Sequence, residues 1–384
     1  PRRGNAFGSR TMTPDGLAGR LVLRPGADPS VCCERPMVGA ELLQRLTAGR
    51  HAALLPDIIG AVFTLCADAQ RSTSRRALRA ALGTFDSDAE RARDARPIAL
   101  HTVREHLQRF TLDMPTLAPD AAAAVTAHWL RDAPVMSVPP MTGSAFEAAL
   151  AATEVALPGW LERRLFGMAP AAWLAAWQRD PAAWLDEWSR GRDHPVARWL
   201  AAVRDDARAI GWPCRPLDVL TDAEGAMRTL AAAIAADPAF AECPTWQGAT
   251  AETGPWTRHG RVRPVSTAWD RLGARLAEVA QLAVGTPLAA GAMATGDGEG
   301  IAWTEMSRGL LIHWVRLEAG ERDAGSARAA RYQVLAPTEW NFHPQGAFAH
   351  LLRDGVLAPA QVRLAAATLD PCLAFTVEAE NHHA

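Results

Sequence analysis

The sequence contains no lysine, so all 40 of its basic residues are arginine. Together with heavy alanine use, this reflects a GC-rich genome rather than a mechanism. The arginines are matched by 42 acidic residues, for a formal charge of -2 over 384 residues. That balance excludes the basic field with which a nucleic-acid binder collects phosphates, and no block of like charge marks a tail. CxxC is also absent. Apart from the adjacent Cys32 and Cys33, the cysteines (Cys66, Cys214, Cys243 and Cys372) are scattered, which excludes a disulfide framework. No run of about 18 uncharged apolar residues is present to cross a bilayer. The nearest stretch, Leu276 to Ala294, is broken by Glu278, Gln281, glycine and proline. The opening Pro1-Arg2-Arg3 runs into Gly, Asn, Ser and Thr, so no secretory or twin-arginine signal is read there. The expected setting is a reducing cytoplasm, without membrane insertion or nucleic acid.

What is present is a large apolar fraction, 49% of residues, enough for a full-sized core. With no internal repeat and no low-complexity linker, one domain over 1–384 is expected. It comprises an N-terminal lobe to about 115, a helical region to about 300 and a C-terminal region beyond. The expected fold is mainly α with a minor β element, α+β. Arg20 to Arg24 alternates like a strand, whereas Glu41 to Thr47 and Ala52 to Leu82 read as helices. Leu100, Val103, Leu107, Phe110 and Met114 recur on one helix face, with Pro97 suited to that helix's first turn. A helical pattern continues from Asp120 to Gly285, punctuated by proline-containing breaks at Ala133 to Pro140, Pro181, Pro213 and Pro244. Within it Trp173, Trp177, Trp184 and Trp188 mark a buried stripe rather than an aromatic site. Gly285 to Gly300, containing GDGEG, lacks the Gly-Lys-Ser/Thr of a phosphate loop and reads as a connection. Leu310 to Leu317 and Arg331 to Ala336 read as a hairpin, followed by helical pattern at Gly346 to Leu352 and Pro359 to Ala367.

The strongest local signal is Asp370-Pro371-Cys372. On its own it reads as a helix start, with Asp as N-cap, Pro at the first helical position and the Cys sulfur near the positive end of the dipole. That location favours the thiolate, the form that binds metal. The alternative is a small buried hydrophobe. Cys32-Cys33 reads as incidental, His382-His383 as a solvated tail, and His106 and His313 as satisfied core histidines. Glu105 reads equally as a surface carboxylate or a site residue.

Wider context changes the weight of Cys372. Three stretches, in order, resemble the C-terminal third of nickel-iron hydrogenase large subunits: Ser307-Arg308-Gly309-Leu310-Leu311-Ile312-His313-Trp314, Tyr332 to Asn341, and the Asp370-Pro371-Cys372-Leu373-Ala374 ending. Nearer the start, Ala48-Gly49-Arg50, Cys66 and Arg75 to Gly83 are similar to the family's segment around its first cysteine motif. The resemblance weakens between about 115 and 300. It implies a large-subunit-like helical-bundle core. In that family two cysteine pairs supply four thiolates to nickel and to an iron carrying carbon monoxide and cyanide. Here each pair retains one member. Phe63 stands for the first cysteine of the first pair and Cys66 matches the second; Cys372 matches the first of the second pair, Phe375 replaces its partner and Glu378 replaces the closing histidine. Arg308 matches the arginine over the metal site, Asp370 the acid before the cysteine, and Glu105 a family aspartate, while Ala18 replaces the proton-gating glutamate.

Two thiolates cannot saturate both nickel and iron, but they suit a single low-spin iron already holding three diatomic ligands. With these losses the chain is identified as a member of the HupK/HoxV family of hydrogenase accessory proteins. The resemblance implies a non-catalytic maturation scaffold that transiently binds Fe(CN)2CO, without nickel, through Cys66 and Cys372, with Arg308, Asp370 and Glu105 around the unit. The implied partners are a HypC-type chaperone, the HypD-HypE machinery and the hydrogenase large-subunit precursor. A metal-free docking protein that mimics the large subunit, and a divergent catalytic subunit with other nickel ligands, are the alternatives. No maturation cleavage after Glu378 is expected.

Overall fold

The computed structural model describes residues 20–27, 33–34, 40–117, 127–137, 144–259, 264–320 and 325–378. The fold is mainly helical with small sheets, as the sequence pattern indicates. Strand β1 (Arg20–Leu23) pairs antiparallel with β2 (Cys33–Glu34). Helix α1 (Ala40–Thr47) follows, then α2 (Leu55–Val62) and α3 (Ala67–Ala81). The stretch from Ala52 to Leu82 is thus helical but broken at Phe63, whose non-helical backbone is followed by a single 3-10 turn, Thr64–Cys66. By length and composition, no single helix among the described residues can cross a membrane; the bent pair around Phe63 passes that test only jointly, across a 106° break. Helix α4 (Asp88–Gln108) begins at a Ser87/Glu90 capping box, so Pro97 lies in its interior rather than in its first turn. The apolar face is where the spacing puts it: Leu100, Val103, Leu107, Phe110 and Met114 are all buried.

Helices α5 (Ser144–Leu161), α6 (Pro170–Arg179), α7 (Pro181–Gly191) and α8 (Pro195–Ala209) follow, and α6 and α7 carry the tryptophan stripe. Trp173 stacks on Trp177 and meets Trp184 and Trp188 edge-on, so the stripe is packing. Strand β3 (Gly211–Pro213), helices α9 (Ala223–Ala236) and α10 (Pro255–His259), and strand β4 (Val265–Thr267) lead into α11 (Ala268–Ala283). Helix α11 is the axis of the bundle, packed against α4, α6, α7, α8 and α10. Because it is buried nearly all round, the Arg271, Arg275 and Glu278 it carries must find partners inside the protein.

A four-stranded antiparallel sheet follows in sequential order: β5 (Ala290–Gly296), β6 (Glu299–Met306), β7 (Gly309–Leu317) and β8 (Ala329–Leu335). The expected hairpin is β7–β8, and two strands precede it. The middle of the stretch read as a Gly-rich connection is β5, and GDGEG supplies the β5–β6 turn, with Gly298 at φ 70°. Both strands escape the period-2 pattern because β5 is Ala- and Gly-rich and β6 is buried on both faces. One face packs against α2 and α3, the other against α9. Helix α3 presses so closely that a Cβ on Gly300 would come within 2.2 Å of the Ala77 carbonyl. The chain ends with α12 (Pro337–Asn341), α13 (Ala347–Asp354), α14 (Pro359–Leu369) and β9 (Ala374–Val377). Strand β9 runs parallel to β1, Leu21 opposite Phe375, which ties the last strand to the first.

Candidate functional site

Cys66 ends the 3-10 turn and immediately precedes α3; Cys372 lies in the irregular segment between α14 and β9. Both pack with Phe63 against the apolar cluster between α2, α3 and the four-stranded sheet. The backbone N–H of Cys372 donates to the Thr338 hydroxyl at 3.1 Å, which fixes the loop against α12. Asp370-Pro371-Cys372 does not start a helix. Asp370 instead closes α14 in the left-handed region, at φ 54°, and strand pairing follows. The local capping logic fails because the Asp370 carboxylate is drawn into a cluster of buried arginines.

The Cys66 and Cys372 thiols are free and share a hydrogen bond. That bond from Cys66, helped by the Arg308 charge and the Thr338 hydroxyl and opposed by burial, brings the Cys372 pKa down to about 7. The Cys66 thiol is pushed well up, because it donates to the Cys372 thiolate and is itself buried. Cys372 therefore ionises first, and the cause is its neighbours rather than a helix dipole. Gln70 donates to the Cys66 sulfur at 3.6 Å.

Around this pair lies a dense ionic network. Asp370 Oδ1 is 2.8 Å from Arg109 Nε, and Oδ2 is 3.3 Å from Arg275 Nη1 and 3.7 Å from Arg308 Nε. Burial alone would raise the Asp370 pKa, but the three guanidinium groups hold it well below the usual carboxylate range. Arg308 Nη1 donates to Glu105 Oε2 at 2.7 Å, and the Ser307 hydroxyl donates to the same oxygen. Burial opposes the Arg308 charge, but Asp370, Glu105 and the cysteines more than offset it. Arg308 Nε has no hydrogen-bond partner among the described residues.

The network extends away from the cysteines. His106 pairs with Glu278 through Nε2 at 2.7 Å and with Arg275 Nη1 through Nδ1 at 3.3 Å. Because arginine only donates, Nδ1 accepts, so Nε2 carries the proton given to Glu278. Burial keeps His106 neutral despite Glu278. Glu278 also accepts from Arg258 and His259. Arg109, Arg275, Ser307 and Thr338 are site residues that the sequence reading misses; the faint signal was the charge interrupting an apolar helix near Glu278.

The structure thus brings Cys66, Cys372, Arg308, Asp370 and Glu105 into one cluster. A cavity of about 60 Å3 adjoins it, lined by residues including Cys66, His101, Glu105 and Met306. Phe63 packs with the cysteines, whereas Phe375 packs against the helical core. Glu378 pairs with Arg24 at 3.0 Å. His313 is satisfied by the Tyr332 hydroxyl and Gln70. Cys214 is buried, its thiol pushed up to about 12. Ala18, Cys32, His382 and His383 lie outside the described residues, and Cys33 pairs through its backbone in β2. Among the described residues, no group of three or more His, Cys, Asp or Glu is arranged to hold a metal.

No family model matches the sequence. Relatives match it over nearly all its length. The hydrogenase expression/formation protein HoxV of Cupriavidus necator is 36% identical, covering 94% of this chain and 96% of its own length. HupK of Azotobacter vinelandii is 30% identical over 88% of this chain and 90% of its own, and HupK of Rhizobium leguminosarum 28% identical over 87% and 89%. Among solved structures, a NiFeSe hydrogenase from Dm. baculatum superposes with a TM-score of 0.50 at 16% identity, covering 86% of this chain and 90% of that one. At that identity the likeness concerns the fold, which is that of nickel-iron hydrogenase large subunits. The chain belongs to the HoxV/HupK family of hydrogenase expression/formation proteins.

Proposed function

We propose that this protein is a non-catalytic scaffold that holds the iron-dicyanide-carbonyl unit between Cys66 and Cys372 during assembly of a nickel-iron hydrogenase. The unit is its cargo, passed on to the large-subunit precursor. The observation that carries this reading is the paired thiols, drawn from near the two ends of the chain, with the Arg308 charge beside them favouring the Cys372 thiolate. A thiolate is the form that binds iron, so Cys372 is ready at cellular pH and Cys66 gives up its proton as the metal arrives.

The surroundings fit such a unit. It brings two soft-ligand positions to fill and hydrogen-bond acceptors at its cyanide nitrogens. The two sulfurs supply the ligands, and the buried Nε of Arg308, which has no hydrogen-bond partner among the described residues, supplies a donor. Glu105 and Asp370 hold that guanidinium in place from two sides. Phe63 presents apolar surface where a third sulfur would be needed for nickel, so the scaffold carries iron without nickel. Its setting is the cytoplasm, with a HypC-type chaperone and the HypD-HypE machinery as the chemistry's suppliers.

The experiment is iron loading of Cys66→Ala and Cys372→Ala proteins, each isolated without oxygen from cells with active maturation. Each variant is expected to lose its iron while still co-purifying with maturation partners. Full loading of either variant would overturn the two-thiolate site. Unaltered partner binding with no iron even in the unsubstituted protein would favour a metal-free docking role.

A further inference from the structure

One turn into α3 from Cys66, Gln70 is buried between that helix and the four-stranded sheet. Two further polar side chains face it from the sheet. His313 shares a face of β7 with Leu311 and Val315, and Tyr332 lies opposite Val315 on β8, so both side chains leave the sheet on the side covered by α3. Gln70, His313 and Tyr332 are at most 1% exposed, so bulk water does not compete for their hydrogen bonds.

These side chains form a chain that ends on the sulfur. Tyr332 Oη is 2.6 Å from His313 Nδ1, His313 Nε2 is 2.8 Å from Gln70 Oε1, and Gln70 Nε2 is 3.6 Å from Cys66 Sγ. Its direction follows from the histidine. Burial brings the His313 pKa down to about 3, so the ring is neutral and has one N–H and one acceptor nitrogen. Burial also pushes the Tyr332 phenol up, so the hydroxyl keeps its proton. A phenol oxygen shares its lone pair with the aromatic ring and donates better than it accepts, so the hydroxyl gives its proton to Nδ1. The proton of the imidazole is then on Nε2 and goes to the Gln70 carbonyl. That leaves the amide N–H of Gln70, not its oxygen, facing the sulfur. The opposite tautomer would turn the amide over and set an oxygen lone pair against Cys66.

We propose that Tyr332 and His313 are positioning residues that act through Gln70, together holding an amide donor on the Cys66 sulfur. The proposal rests on the iron-holding role of Cys66 and adds how that buried thiolate is stabilised and tuned. Cys66 is the more deeply buried of the two cysteines and gives up its proton inside the protein. A donor already aimed at the sulfur offsets part of the cost of that second buried negative charge and draws electron density from the sulfur's bond to iron.

Two readouts test the relay in the full chain. The first needs no iron: NMR of protein labelled at the histidine nitrogens, with the His313 signals assigned by their loss in His313→Gln. A neutral ring protonated at Nε2 is expected. A ring protonated at Nδ1, or one that titrates near the ordinary histidine value of about 6.5, overturns the relay. The second readout is the carbon monoxide stretch of protein loaded in maturation-competent cells. Gln70→Leu removes the donor, leaves a more electron-rich sulfur on iron, and should move the band to lower frequency. Tyr332→Phe keeps the aromatic ring but frees His313 to take either tautomer, and should move the band the same way by a smaller amount. A purely structural role for Tyr332 would lower stability without moving the band. Loaded variants whose bands match that of the unsubstituted protein overturn the proposal. If the unsubstituted protein holds no iron, the iron-holding reading fails and the His313 tautomer alone decides the relay.

Discussion

Arg308 and Arg76 are both 2% exposed, and they illustrate two ways of burying a cation. Arg308 sits among groups that answer it: Glu105 on one side, Asp370 on the other, and beyond Asp370 two further arginines that the same carboxylate serves. Arg76 has one carboxylate just beyond hydrogen-bond reach, and its guanidinium nitrogens have no hydrogen-bond partner among the described residues. A closed network makes each member essential to the others, because removing one strands the rest in low dielectric. An open one can lose its cation with little loss to the fold.

The sharpest way to break this contrast is Asp370→Ala, which leaves Arg109, Arg275 and Arg308 without their shared counter-charge. Stability in urea should fall by roughly 3–5 kcal/mol; a loss below about 1 kcal/mol would mean the arginines are solvated. Next, Glu105→Ala removes the acceptor of Arg308 and Ser307 and should cost about 1.5–3 kcal/mol, read from the same denaturation curves. A third test concerns the thiols. Alkylation of Cys372, followed by mass spectrometry of its peptide, should rise with pH about a midpoint near 7 as the thiolate forms. In Cys66→Ala that midpoint should move up toward the ordinary thiol value of about 8.5, since the donated hydrogen bond is gone. An unmoved midpoint would assign the low value to Arg308 alone. The smallest effect is expected at Arg76→Met, which should leave stability unchanged or raise it by about 1 kcal/mol; a large loss would place Arg76 among the closed networks.

The sequence was most legible where resemblance and chemistry coincided. Cys66, Cys372, Arg308, Asp370 and Glu105 were singled out from motifs near the two ends of the chain, and they meet in space. Arg109 and Arg275 were not, because nothing local distinguishes an arginine at the end of α4 or within α11 from the others. Their importance arises when α11 is buried on all sides and its charges must be met. Asp370-Pro371-Cys372 was misread for the same reason: capping is a local rule, and three distant guanidinium groups override it by pulling the carboxylate inward. Of the four-stranded sheet only β7 and β8 were foreseen, since β5 is too small-sided and β6 too evenly buried to show alternation. The helical bundle, whose amphipathic period survives burial, was legible except where the short pair β3 and β4 interrupts it.

An iron unit held by the two thiols would carry its own infrared signature. The direct measurement is an infrared spectrum of the protein isolated without oxygen from maturation-competent cells, with iron and nickel determined on the same sample. Carbon monoxide and cyanide stretches accompanied by iron and no nickel are the expected result. A protein with neither bands nor iron would contradict the scaffold, and bands accompanied by nickel would contradict the reading of Phe63 and Phe375 as lost nickel ligands.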